Sequence, residues 1–190
     1  LLEPYCGGSH AAWVEGFAAN SRNEVVIASL PGHFWRWRMR GASINLADSA
    51  REAIAVSGKP DLVLASGMFD LSSWLGLVRN FLGNPPVVLY LHENQLGYPI
   101  SPGQQEGDEF ALVNWRSMVA ADEIWCNSRF QIDELIGALP GLLGRSPDAS
   151  HIRLLDEVVA RFSVLPVGVD SVSYTHLRAH ETDSYLVCRL

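Results

Sequence analysis

Short apolar runs alternate with amphipathic segments along most of the chain. The runs at 24–30, 61–66, 87–91 and 123–126 are typical of strands buried on both faces. Two further strands are predicted at the first residues and at 163–165. Apolar positions at helical spacing predict helices over 9–20, 42–57, 70–82, 109–121, 130–139 and 151–161, and loops over 33–41, 97–108 and 140–149. This alternation predicts the α/β class, with a Rossmann-like parallel sheet and helices on both faces.

Polar clusters directly follow several of the predicted strands. In a parallel sheet the carboxyl ends of the strands share one edge, and ligands bind along that edge. We therefore expect the polar clusters to gather on one face of the domain. They lie at 7–10, 33–40, 66–70, 92–95 and 127–129.

Two glycines, Gly7 and Gly8, separate the first strand from the first helix. A backbone without Cβ atoms can turn sharply and approach a ligand, and the helix amides that follow favour an anion or a polar oxygen. Ser9 is a candidate helix cap, and His10 extends the cluster. A tight turn with no ligand fits the same residues. The spacing does not match the dinucleotide-binding pattern Gly-x-Gly-x-x-Gly.

Tryptophan and arginine alternate within the predicted loop 33–41. Arginine forks bind phosphate, and tryptophan rings stack on bases or sugars. An edge strand with tryptophans inward and arginines outward would show the same alternation. The candidates for nucleic-acid contacts are Arg36, Trp37, Arg38 and Arg40.

His92 follows the strand 87–91 and is joined by Glu93 and Asn94. An imidazole at a strand end can exchange hydrogen bonds with a sugar hydroxyl or transfer a proton. The two neighbours can hold hydroxyls or orient the ring, although a purely structural histidine is the alternative.

Asn127, Ser128 and Arg129 follow the strand 123–126 in the same way. Asn127 or Ser128 is a candidate helix cap. Arg129 is a candidate for reaching an anion at the strand ends. A cap without any ligand is again the alternative interpretation.

Composition narrows the function classes. The formal charge of −7 over 190 residues excludes a domain-wide basic field for nucleic acid and leaves only a local patch. The three cysteines have neither metal-binding nor disulfide spacing, so we expect a reducing, cytoplasmic setting. No apolar run reaches the roughly 20 residues of a membrane span, and no membrane partner is expected.

The two ends of the sequence depart from the pattern. The chain starts without Met, inside a predicted strand, and we expect its start to be truncated. Residues 171–190 do not continue the periodicity, and 172–182 resemble the translation of a sequencing-library adaptor. We expect 171–190 to be non-native, and no site residue is taken from them.

Six segments together resemble the N-terminal domain of the tRNA-queuosine mannosyltransferase family, a branch of the GT-B glycosyltransferases. The resemblance covers about residues 1–170. The runs Trp-Arg-Trp-Arg-Met-Arg-Gly at 35–41 and His-Glu-Asn-Gln at 92–95 are the most specific. Cys6 stands where relatives are expected to carry an aromatic residue. The six segments are 2–10, 30–31, 35–41, 91–95, 127–130 and 165–170.

The resemblance implies two Rossmann-like domains that face a cleft. The domain at 1–170 would hold the acceptor, and a C-terminal domain, absent here, would hold the sugar nucleotide, expected to be GDP-mannose. Mannose would pass with retention to queuosine in the anticodon loop of tRNA-Asp, without a metal or other cofactor. This chain alone is expected to be inactive.

The resemblance also implies residue roles. His92 would contact the transferred sugar, and Glu93 would support it, so these two are the catalytic candidates. Arg36, Arg38 and Arg40 are assigned to tRNA from their chemistry alone. The candidates for donor or acceptor binding are Gly7, Gly8, Ser9, His10, Asn94, Asn127, Ser128 and Arg129.

Two other functions stay open. The acidic charge is compatible with a GT-B enzyme that uses a glycan, a lipid or another nucleoside as its acceptor. A non-catalytic α/β ligand-binding domain is the second alternative. Binding of NAD is disfavoured, because the glycine pattern and a ribose-binding acid after the second strand are both missing.

Overall fold

Strands and helices alternate in the computed structural model, except that two helices precede the last strand. The structure describes residues 1–96, 108–146 and 148–168. A short 3-10 turn, His151–Leu154, precedes the last helix. The elements in chain order are β1 (Leu2–Cys6), α1 (Ser9–Asn20), β2 (Ala28–Pro31), α2 (Trp35–Ser57), β3 (Val63–Ser66), α3 (Leu71–Val78), β4 (Val87–Leu91), α4 (Glu109–Ala120), β5 (Glu123–Cys126), α5 (Arg129–Leu143), α6 (Leu155–Val159) and β6 (Phe162–Val164).

The strands form one sheet in the order β2-β1-β3-β4-β5-β6, and every neighbouring pair is parallel. The predicted Rossmann-like α/β architecture is therefore confirmed. The chain adds β2 on one side of β1 and then continues from β3 on the other side. This reversal creates a switch point at the carboxyl ends of β1 and β3, where such sheets bind their ligands.

Both faces of the sheet are buried, which explains why the strands are continuous apolar runs. Successive side chains of a strand point to opposite faces. In β4, Leu89 and Leu91 join the large core formed with α2 to α5, whereas Val88 and Tyr90 pack with Trp13 of α1. All five residues of β4 are buried. Helices on both faces thus exclude water from the centre of the sheet.

Helix α2 starts earlier than predicted, and this corrects the interpretation of the Trp/Arg segment. The segment is neither a loop nor an edge strand, because the helix begins at Trp35. Met39, Ala42 and Leu46 are fully buried at spacings of three and four residues, so the helical apolar face continues through Gly41. Burial of this apolar helix face therefore determines the local structure, although tryptophan and arginine alternate with the period of two that is typical of a strand.

Other differences concern element boundaries. The second strand is confined to Ala28–Pro31 instead of 24–30, and α3 ends at Val78. Part of the predicted loop 140–149 is helical, since α5 runs through Pro140 and buries Leu142 and Leu143. The predicted helix 151–161 is a 3-10 turn followed by the short α6. Residues 97–107, 147 and 169–190, including most of one predicted loop and the expected tail, lie outside the described residues.

Candidate functional site

The glycine turn after β1 packs backbone against backbone on the connection after β2. A Cβ on Gly7 would lie 3.0 Å from the Cα of Gly32, and a Cβ on Gly32 would lie 2.7 Å from the Cα of Gly7. The Gly32 amide also donates a hydrogen bond to the Cys6 carbonyl at 3.1 Å. The missing side chain at Gly7 thus serves this contact between two turns.

Gly8 has a different reason to be glycine. Its φ is 54°, a left-handed conformation that side chains disfavour, and no described atom lies within 4 Å of a Cβ built there. Gly8 occupies the cap position of α1, and no side chain caps that helix. The predicted cap at Ser9 is therefore wrong, because Ser9 is the first residue of the helix itself. The open space above Gly8 leaves a ligand room to approach.

A buried carboxylate lies beneath this turn. Glu3 in β1 is 0% exposed. Its Oε1 accepts a hydrogen bond from the Tyr5 amide at 2.8 Å, and its Oε2 lies 3.1 Å from His10 Nδ1. A buried charge is costly unless it is paired and hydrogen-bonded, and both partners are supplied locally. Sequence reasoning missed Glu3, although a charged residue within an apolar strand is a signal that could have found it.

His10 and His92 meet at the carboxyl edge of the sheet. Their ring centroids are 4.4 Å apart. His10 follows β1 and His92 follows β4, and β3 lies between those strands. The structure thus brings two predicted site residues from distant parts of the chain into contact near the switch point.

His92 has an apolar surrounding and an unused nitrogen. The ring packs edge-on against Trp13 at 4.5 Å and lies 4.7 Å from Tyr90. Its Nε2 is buried and has no hydrogen-bond partner among the described residues. Burial, together with the nearby charge of His10, lowers the pKa of His92 to about 3. The ring is therefore neutral at physiological pH, and its buried Nε2 lacks a partner among the described residues.

His10 has the opposite tendency. Burial lowers the pKa of His10, but the hydrogen bond and charge of Glu3 and the charge of Glu93 outweigh it and raise the pKa above 6.5. The pair therefore combines an imidazole that favours its protonated form with one that stays neutral. When both rings are neutral, each can offer a nitrogen lone pair to a hydroxyl group, and a protonated His10 would offer an N–H donor instead.

The same three side chains offer ligand atoms that all lie within 4.8 Å of one another: Glu3, His10 and His92. Two histidines and a carboxylate are a donor set that zinc accepts. However, the Nδ1 of His10 lies at hydrogen-bonding distance from Glu3 Oε2. A proton between these two atoms explains their approach without a metal ion. We therefore assign a hydrogen bond there.

The loop that carries His92 is anchored from β5. Asn127 Nδ2 donates to the His92 carbonyl at 2.8 Å, and Gln131 Nε2 donates to the Leu91 carbonyl at 3.0 Å. Gln131 Oε1 accepts from the Asn127 amide at 3.2 Å. The predicted binding residue Asn127 thus holds the backbone of His92, and Gln131 is a positioning residue that sequence reasoning missed.

Asn114 of α4 anchors the other end of that loop. Its Oδ1 accepts from the Gln95 amide at 3.3 Å, and its Nδ2 donates to the Gly67 carbonyl at 3.0 Å. The Asn114 side chain is buried. Between these anchors, Glu93 accepts a hydrogen bond from the Gln95 side chain at 3.3 Å, and Asn94 is half-buried.

Ser128 and Arg129 serve α5. The Ser128 hydroxyl caps the helix by accepting from the Gln131 amide at 3.2 Å. Arg129 forms an ion pair with Asp133 at 2.9 Å, one turn along the same helix, and its side chain is 76% exposed. These contacts match the cap interpretation of the segment.

The three arginines at the start of α2 make contacts within the domain. Arg38 donates to the Pro31 carbonyl at 3.1 Å, and the Arg36 guanidinium lies over the Trp35 ring. Arg40 forms two hydrogen bonds with Glu109, at 3.0 and 2.8 Å. The arginines therefore help to dock the first turns of α2.

Two aromatic side chains beside them face solvent. Trp37 is 71% exposed and Phe34 is 76% exposed. Phe34 has a φ of 56° and is the one non-glycine residue with positive φ in the described ranges. Such strain in a non-glycine residue is typical of functional sites. Phe34 was not among the predicted site residues, although it belongs to the same aromatic-rich segment.

A cavity of about 460 Å³ lies at the opposite edge of the sheet. Residues that precede the strands line it, among them Leu1, Val26 and Leu62. It is separate from the histidine pair and from all the predicted site residues.

The fold and these side chains define a Rossmann-like α/β domain whose polar site lies at the carboxyl ends of β1 and β4. Comparison with known proteins gives the family. A family model described as tRNA-queuosine alpha-mannosyltransferase N-terminal matches residues 1–169, and the chain belongs to that family. The family name places it among the glycosyltransferases, and the resemblance inferred from the sequence is confirmed.

A curated relative supports this assignment. The chain is 29% identical over 176 residues to the tRNA-queuosine alpha-mannosyltransferase of Drosophila melanogaster. The match covers 90% of this chain and 45% of the relative, so the chain spans about half of that protein's length. No solved structure matches the chain significantly. Among the helices that the structure describes, none combines the length and apolarity needed to cross a membrane.

Proposed function

We propose that this chain is the acceptor-side part of an enzyme that transfers mannose from GDP-mannose to queuosine in the anticodon loop of tRNA-Asp. The observation that carries the sugar chemistry is the buried, unpartnered Nε2 of His92 at the strand-end face. The family match over residues 1–169 supports the acceptor class.

His92 is proposed to bind the transferred sugar. A buried polar atom without a partner is unfavourable, and a sugar hydroxyl can supply the missing hydrogen bond. Because His92 is neutral, it contributes no charge that would compete with a developing positive charge on the sugar. The Asn127 and Gln131 bonds hold its backbone in place before the ligand arrives.

Contacts to tRNA are proposed at the start of α2. RNA loops are recognised through unstacked bases that lie on aromatic rings. The exposed rings of Phe34 and Trp37 supply two such surfaces. Arg36, Arg38 and Arg40 add positive charge beside them, although each also contacts the domain itself.

Turnover is proposed to require residues beyond this chain. The relative is more than twice as long as the segment matched here, which supports a separate donor-binding part. We expect the 190-residue chain to bind ligand without transferring mannose.

The test is an assay of mannose transfer from labelled GDP-mannose to tRNA with and without queuosine, using a full-length family member that carries this domain. We expect transfer only to queuosine-containing tRNA, and none by the 190-residue chain. His92→Gln should lower kcat/KM by about 10- to 100-fold, the worth of one hydrogen bond from a buried group. His33→Gln, at an exposed position, is the matched control. Equal transfer to tRNA without queuosine would contradict the proposed acceptor.

Two observations favour a second acceptor class. The formal charge of −7 and the engagement of all three arginines are unusual for an RNA-binding surface. A glycan, lipid or free nucleoside would need no basic field. If tRNA binds, its affinity should fall steeply with salt, whereas binding of a small glycoside should be nearly insensitive to salt.

A further inference from the structure

We propose that Glu3 is a positioning residue: its buried carboxylate fixes the orientation and tautomer of His10, so that the neutral His10 ring presents Nε2 as a hydrogen-bond acceptor beside His92 to a hydroxyl group of the sugar donor. The ligand class rests on the proposed function. The orientation of His10 by Glu3 does not, and it can be tested separately.

The position of Glu3 argues for a role beyond folding. It lies in β1, where the neighbouring Leu2 is buried in the main core. An apolar residue would fill this place without the desolvation of a charge, and such replacements are often neutral or stabilising. A carboxylate kept at 0% exposure therefore needs a reason in the site above it.

The geometry supplies that reason. One oxygen of Glu3 is fixed by the Tyr5 amide at 2.8 Å, which leaves the other directed at His10 Nδ1 at 3.1 Å. A carboxylate accepts and cannot donate, so Nδ1 must carry the proton. The opposite nitrogen, Nε2, has no partner among the described residues and lies on the other side of the ring from Glu3.

Few groups compete with Glu3 for control of His10. The groups that face this ring are Glu3 from β1, Glu93 and His92 from the loop after β4, and the Tyr5 ring, edge-on at 5.9 Å. Glu93 acts on His10 through its charge alone, whereas Glu3 is hydrogen-bonded to it. Loss of Glu3 should therefore change the tautomer of His10, because the charge of Glu93 does not determine which ring nitrogen carries the proton.

The first experiment is ¹⁵N NMR of the histidine rings in the 190-residue chain. In the unmodified protein we expect a protonated Nδ1 on His10 and a pKa above 6.5. Glu3→Gln keeps the acceptor for Tyr5 but places an NH₂ group near Nδ1. His10 should then shift to the Nε2–H tautomer, with a lower pKa than in the unmodified protein because the hydrogen bond and charge of Glu3 are lost. Glu15→Gln, an exposed carboxylate on the same helix, is the control and should change neither property.

Several results would overturn the proposal. If His10 is the Nε2–H tautomer in the unmodified protein, the proposal is wrong. This result does not depend on whether Glu3→Gln folds. An unchanged His10 spectrum in a folded Glu3→Gln protein would also contradict it. Stoichiometric Zn²⁺ binding that shifts both rings would replace the proposed proton with a metal and refute the assignment.

The second experiment uses a full-length family member. The equivalent of Glu3→Gln should raise KM for GDP-mannose about tenfold and remove the pH dependence of KM near the pKa of His10. A merely structural role would lower the active fraction, and hence kcat, without moving the pH midpoint. If no mannose is transferred at all, the proposed function fails, while the NMR result still decides the role of Glu3.

Discussion

Acidification should destabilise this domain through His92. Its pKa is about 3 in the folded state and 6.5 as the ordinary value expected in the unfolded chain. Because the folded pKa is depressed, the unfolded state binds the proton first, so stability is lost as pH falls below 6.5. Each unit of pKa difference corresponds to about 1.4 kcal/mol. Linkage then gives a loss of about 2 kcal/mol between pH 7 and pH 5 from this single ring.

Urea unfolding at pH 7 and pH 5, followed by tryptophan fluorescence, measures that loss. His92→Gln removes the titrating group, so its stability should change about 2 kcal/mol less over the same interval. His33→Gln makes the same replacement at an exposed histidine and is the matched control. His10 has a raised pKa, so its contribution is present below pH 6.5 and is lost as pH rises through its folded pKa.

His10 therefore offsets part of the loss in the unmodified protein, and the difference between the variants carries the test. The same pH dependence in His92→Gln and the unmodified chain would show that His92 is hydrated or protonated in the folded state. The assignment of a neutral, sugar-binding imidazole would then be wrong.

Three further experiments test the packing of the domain. Gly32→Ala should lower the free energy of unfolding by about 1–3 kcal/mol in chemical unfolding, because its Cβ would lie 2.7 Å from the Gly7 Cα. The control is Gly16→Ala on α1, which should be neutral or stabilising because a Cβ there meets open space. Phe34→Gly should raise the free energy of unfolding by about 1 kcal/mol, because glycine adopts the positive φ at this position without strain. The same variant should weaken tRNA binding in a filter assay. A lower free energy of unfolding would contradict the strain. Cys126 is buried, and this burial raises the pKa of its thiol to about 12. It should therefore resist labelling by maleimide in the folded protein, as measured by peptide mass spectrometry. Rapid labelling would show that β5 opens.

The sheet and the gathering of polar residues at its carboxyl edge were predictable because both follow from short-range patterns. β4 is a continuous apolar run in the sequence, and a polar residue directly after it must lie at the carboxyl edge of a parallel sheet. That argument predicts that His92 and His10 lie at the same edge, where the structure brings their rings together. Helix α1 was likewise predicted with its observed bounds, since Gly8 and the apolar spacing mark its start.

Other features depend on contacts between distant segments and left weaker traces in the sequence. Nothing local shows that Gly7 packs on Gly32, or that Arg40 pairs with Glu109 across 69 positions. The start of α2 was misjudged because alternating tryptophan and arginine hid the buried Met39. The charge states of the two imidazoles likewise come from burial and from Glu3, which only the folded structure brings together.

The backbone contact between Gly7 and Gly32 connects the histidine pair to the exposed aromatic residues at the start of α2. Three residues beyond Gly7 lies His10, and two residues beyond Gly32 lies Phe34. With no side chain between the two turns, neither can slide against the other without separating backbone atoms. The contact therefore couples the backbone that leads to Phe34 to the backbone that leads to His10. In the proposed enzyme this contact would restrict how far the exposed aromatic rings can move from the histidine pair, and would thereby favour an acceptor whose reactive hydroxyl lies at a matching distance from its stacked base.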